Sequence, residues 1–129
     1  MFISTYTSAL TSANPFYTRP NGLFGSHYYY ESIDVNIPST GIYRFQSDNK
    51  LDTYASVYSN NFIASNPSAN LFYQMDDQSE INWNFQFALN IPYAVRITIV
   101  ITTFKPNTQG SYTLHVTGPN KVTFLSTTK

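Results

Sequence analysis

The side chains able to do chemistry in this 129-residue sequence are few: seven acids, seven Lys or Arg, two histidines and eleven tyrosines. Cysteine is absent, which removes thiol nucleophiles, disulfides and thiolate metal sites together. The densest acidic group is Asp52, Asp76, Asp77 and Glu80. Carboxylates in a loop supply the hard oxygens calcium takes, with Asn or backbone carbonyls completing its shell. The same residues serve as turn formers, accepting hydrogen bonds from nearby backbone N–H groups. No cofactor is expected to be required, and calcium is an ion the group could take.

The tyrosines offer a second kind of chemistry. Tyr28, Tyr29 and Tyr30 are consecutive, so on a strand at least one points away from a core. Tyr54 and Tyr58 share a face opposite Ala55 and Val57. An exposed strip drawn from Tyr28, Tyr30, Tyr54 and Tyr58 would stack on a sugar face or an apolar peptide, each hydroxyl giving a polar handle. Cross-strand packing is the competing use of the same rings. Of the histidines, His115 falls on the outward phase of an alternating run and His27 flanks the tyrosines, so both read as surface residues. A Ser–His–acid site needs three groups that converge, which single residues at this spacing do not show. No nucleophile elbow, phosphate loop, paired-histidine motif or EF-loop is present, and the expectation is a protein without enzymatic activity.

The elements that must carry these residues are strands. Ser, Thr and Asn number 14, 15 and 13, while only 11% of residues are charged and the formal net charge is zero. Such small polar side chains compete for backbone hydrogen bonds and disfavour helix interiors, whereas Thr, Tyr, Phe, Val and Ile suit a half-buried pleated surface. Ile81, Trp83, Phe85, Phe87 and Leu89 alternate with Asn82, Asn84, Gln86, Ala88 and Asn90. The same period of two recurs through Ile33, Val35 and Ile37 and through Tyr112, Leu114 and Val116. Val95 to Phe104 is a nearly continuous β-branched run and reads as a central strand, with Ile97, Ile99 and Ile101 inward and Val100 on the other side. Shorter candidates are 5–11, 41–47, 53–59, 70–75 and 122–126, and Pro, Gly, Asn or Asp turns separate nearly all of them.

The pattern predicts one all-β domain, an antiparallel β-sandwich of eight to nine strands. Residues 27–126 form the main sandwich, after an N-terminal strand and a long period-free loop over 14–26. Trp83, Phe85, Phe87, Tyr43, Phe45, Ile97, Ile99, Tyr112 and Leu114 are its expected core. The loop leaves the first strand loosely attached and free to pair with a neighbouring copy. A neutral, sparsely charged surface argues against nucleic acid as a partner. No stretch is apolar enough to insert in a membrane, and residues 1–15 have neither the basic start nor the apolar length of a signal peptide.

Ordered landmarks add a resemblance. Asp52-Thr53-Tyr54-Ala55-Ser56-Val57-Tyr58, Asn70-Leu71-Phe72 leading to Asp76-Asp77-Gln78-Ser79, Trp83 to Leu89, Tyr93 to Val100, and Gly110-Ser111-Tyr112-Thr113-Leu114-His115-Val116 follow one another. In that order they resemble the strands and paired-aspartate turn of the bacterial pre-peptidase C-terminal domain. Tyr17-Thr18-Arg19-Pro20 is similar to the opening of tandem modules in large extracellular invertebrate proteins. The resemblance implies a jelly-roll-like sandwich that is extracellular or at the cell surface and does not catalyse. It implies adhesion, secretion or matrix binding, with collagen and calcium among the ligands of relatives. The leading expectation is thus a structural or adhesive module whose partners are identical copies or neighbouring modules. The alternative is an accessory module that binds polysaccharide or collagen.

Overall fold

A computed structural model describes residues 1–20, 22, 27–48, 52–59, 62–75 and 85–127. Among these residues eleven strands follow in chain order: β1 Phe2–Leu10, β2 Phe16–Tyr17, β3 Tyr28–Tyr29, β4 Glu31–Ile37, β5 Gly41–Ser47, β6 Thr53–Tyr58, β7 Leu71–Met75, β8 Gln86–Ile91, β9 Val95–Thr103, β10 Gly110–Gly118 and β11 Thr123–Ser126. Nine of them make two antiparallel sheets, ordered β1-β10-β5-β8 and β11-β4-β9-β6-β7, while β2 and β3 form a separate ribbon. The pairs β4·β11, β5·β10 and β6·β9 nest one inside the next and alternate between the sheets, a jelly-roll-like arrangement.

Alternation drives the two sheets together. Ile33, Val35 and Ile37 of β4, Tyr43 and Phe45 of β5, Ala55 and Val57 of β6, Ile97, Ile99 and Ile101 of β9, and Tyr112, Leu114 and Val116 of β10 all meet in one buried layer. Phe85 and Phe87 complete it, with Phe87 stacked at 5.1 Å on Phe45, its register partner across β5 and β8. The packing is close enough to dictate a glycine. A Cβ at Gly118 would lie 2.2 Å from Cδ2 of Tyr43, so only a residue without a side chain lets that ring lie flat.

The outer face of the five-stranded sheet is covered as well. Tyr17 of β2, Tyr28 of β3 and Tyr30 pack with Tyr58 and Val100 in a second apolar cluster, joined by Phe62 and Leu71. This cover explains why every residue of β6, and β9 from Ile97 onward, is buried on both faces. It also explains why β9 from Ile97 onward is a continuous run of β-branched residues and not an alternation.

Three expectations need correction. Residues 14–20, the first part of the loop expected over 14–26, are not a bare crossing loop: β2 and β3 pair through Phe16↔Tyr29 and Tyr17↔Tyr28, and Tyr30 N donates to Pro15 O at 3.1 Å. The two-residue strands are too short to carry a period. The first strand is not loosely attached, since β1 pairs with β10 over its whole length, from Phe2↔Gly118 to Leu10↔Gly110. The strand expected over 81–89 begins, among the described residues, at Gln86 and continues to Ile91. Trp83 lies outside the described residues, as does the Asp76, Asp77 and Glu80 part of the acidic group.

Candidate functional site

The four tyrosines singled out for ligand binding are buried, so the exposed strip does not exist. Tyr28 and Tyr58 are fully enclosed and Tyr30 and Tyr54 nearly so. Alternation did place Tyr54 and Tyr58 opposite Ala55 and Val57, but the face they share lies under the cover and not in water. The consecutive tyrosines serve two cores: Tyr28 and Tyr30 turn into the cover cluster, while Tyr29 packs against the main core. Tyr58 donates to Pro67 O at 2.6 Å, and burial raises its pKa.

Arg19 packs on two of these rings from within the chain. Its guanidinium sits 3.9 Å from the centroid of Tyr54, 4.8 Å from Tyr28 and 5.8 Å from Phe104, and it donates to Phe104 O at 3.1 Å. Only 3% of the residue is exposed. Desolvated cation–π contacts of this kind fasten the cover to the sheet. Asp52, beside this region, accepts from Phe104 N at 3.0 Å through its carbonyl oxygen. Among the described residues no three acidic or histidine side chains gather in the manner of a metal site.

The polar centre that sequence reasoning missed is Glu31. Its carboxylate is buried between the sheets and accepts from Tyr112 Oη, from Tyr6 Oη at 2.5 Å and from Ser126 Oγ at 2.8 Å. Burial, the largest single influence, works against the charge, but the hydroxyls of Ser8, Tyr112, Tyr6 and Ser126 outweigh it and hold the carboxyl below its ordinary pKa. Tyr112 and Tyr6 respond in the opposite sense, raised by burial and then by the carboxylate beside them. The signal was present: Glu31 continues the inward phase of Ile33, Val35 and Ile37, where a charge has no place unless partnered.

Two surfaces remain open. On the outer face of the four-stranded sheet Thr5 Oγ1 lies 3.1 Å from His115 Nδ1, and His115 Nε2 lies 3.7 Å from Asp48 Oδ2. A hydroxyl, an imidazole and a carboxylate are thus in line, but on a flat sheet exterior, with the Asp48 side chain 74% exposed. Water competes for every bond there. At the β8–β9 turn a cavity of about 220 Å³ is lined by Ser59, Leu89, Ile91, Tyr93, Val95 and Ile97 among others. Tyr93 stands 66% exposed at this turn, the most open of the described tyrosines. A tyrosine directly after Pro92 in a turn has no strand face to bury it, and that was the available signal.

The free edge of β1 is the remaining feature. It is the longest of the four edge strands in the two main sheets, it runs in unbroken register with β10, and it holds no charge, proline or bulge. Native sheets ordinarily blunt such edges with one of those devices. Neither a family model nor a curated protein matches the chain.

Proposed function

We propose that this chain is a non-catalytic structural or adhesive module, extracellular or at the cell surface, that works by joining identical copies or neighbouring modules through sheet edges. The observation that supports this reading is β1: nine residues of unprotected edge on a molecule with zero formal net charge. Half of the strand's backbone groups point away from β10 and hydrogen-bond to water until another strand arrives. Zero net charge leaves no long-range repulsion between copies. Sedimentation velocity across the micromolar range is expected to show concentration-dependent association. A particle that stays monomeric at every concentration would overturn the reading.

Tyr93 favours the alternative of a polysaccharide- or collagen-binding accessory module, because an exposed ring beside an apolar cavity is a stacking platform. A glycan and collagen array separates the two readings. Binding that disappears in Tyr93→Ala while sedimentation stays monomeric would favour the accessory module.

A further inference from the structure

Residues 4–8 read Ser-Thr-Tyr-Thr-Ser in both directions, and the apolar pair Phe2 and Ile3 before them is answered by Ala9 and Leu10 after them. The whole of β1 is therefore close to a palindrome centred on Tyr6. Resting on the edge-joining reading above, we propose that two copies pair β1 against β1, antiparallel, about a two-fold axis at Tyr6.

This register matches like with like along the strand. On the outer face, where Ile3, Thr5, Thr7 and Ala9 are all exposed, Thr5 stands opposite Thr7 of the second copy and Ile3 opposite its Ala9. Cross-strand Thr–Thr and aliphatic pairs are favourable, and no charge meets a charge anywhere along the junction. On the inner face Ser4 stands opposite Ser8 of the second copy, and half-buried Tyr6 lies beside its own counterpart. The product is one continuous sheet ordered β8-β5-β10-β1-β1-β10-β5-β8. A two-fold contact uses the same patch on both copies and closes at the dimer. The other edges offer less: β11 has four residues, β7 has five beside a register shift at Val57/Tyr58, and β8 has six without the inverted repeat.

Cysteine placement tests the register, because the natural chain has none. Ile3→Cys and Ala9→Cys are made as separate variants, mixed in equal amounts and oxidised. Both positions are exposed, so folding should be retained, and circular dichroism checks that it is. Residues directly opposite in an antiparallel pair have Cα atoms roughly 4.5–5.5 Å apart, within reach of a disulfide. A mixed disulfide between the two variants is therefore expected. Either variant alone should stay unlinked, because its two cysteines would sit about 20 Å apart at roughly 3.4 Å per residue. The double variant Thr5→Lys, Thr7→Lys puts like charges opposite one another and should weaken dimerisation roughly tenfold or more. Cross-linking of Ile3→Cys to itself, dimers without the mixed disulfide, or growth into filaments would overturn this register while leaving edge joining in place. A strictly monomeric particle would remove both.

Discussion

A single carboxylate, Glu31, ties four strands together: it sits on β4 and holds Tyr6 of β1, Tyr112 of β10 and Ser126 of β11. Those strands belong to both sheets, so the contact spans the sandwich. A buried charge is costly unless its lone pairs are used, and here hydroxyl donors use them. Glu31→Gln should cost about 2 kcal/mol at neutral pH, the scale of lost charged hydrogen bonds, measured by urea denaturation. The pH dependence follows from the direction of the shift. Because the folded-state pKa is lowered, Glu31 contributes its stability in full above the ordinary carboxyl value, and that stability drains as pH falls through the folded value. The gap between wild type and Glu31→Gln should therefore narrow in acid. A gap that is constant from neutral pH to pH ~3 would contradict this linkage.

The element that decides how the molecule looks from outside is the cover of β2, β3 and the chain around Arg19. Arg19 fastens it by stacking and by its bond to Phe104 O, two things a lysine does poorly together. Arg19→Ala should lose about 2–4 kcal/mol, from cation–π and hydrogen-bond terms combined. Arg19→Lys should recover part of that, and both should make Tyr54 more accessible to chemical modification in solution. Retained stability in Arg19→Ala would show that the aromatic cluster alone holds the cover. Elements that repeat every second residue were legible in the sequence, and β5 runs over the same residues, 41–47, that alternation and turn chemistry assign. The cover was not legible, because Phe16-Tyr17 and Tyr28-Tyr29 are too short for any period. Its docking depends on a long-range contact between Arg19 and Tyr54 that neither segment announces. That one omission turned four buried tyrosines into an apparent binding strip. Tyr93 and Glu31 carry signals in the sequence itself, Tyr93 by following Pro92 directly and Glu31 by standing in line with Ile33, Val35 and Ile37.

Across the whole molecule, aromatic hydroxyls enclosed in two clusters make the fold sensitive to alkali. The pKa values of Tyr6, Tyr17, Tyr30, Tyr58 and Tyr112 are all raised, in each case with burial as the first cause. Groups with raised folded-state pKa contribute stability below the ordinary tyrosine value of 10.0 and lose it as pH climbs through the folded value. Ultraviolet titration should show these five enclosed tyrosines ionising only in a cooperative step that coincides with unfolding. Smooth ionisation of those five with the fold intact would contradict that picture. The pairing of β1 with β10 also joins residues 2–10 to residues 110–118, nearly the full length of the chain apart. On the ribosome, at about 5–20 residues per second, the first segment emerges roughly 5–20 s before its hydrogen-bonding partner has been made. Throughout that interval a nascent stretch with no charge to keep it solvated meets the same stretch on neighbouring chains of a polysome, so crowded translation is where premature tangling would begin.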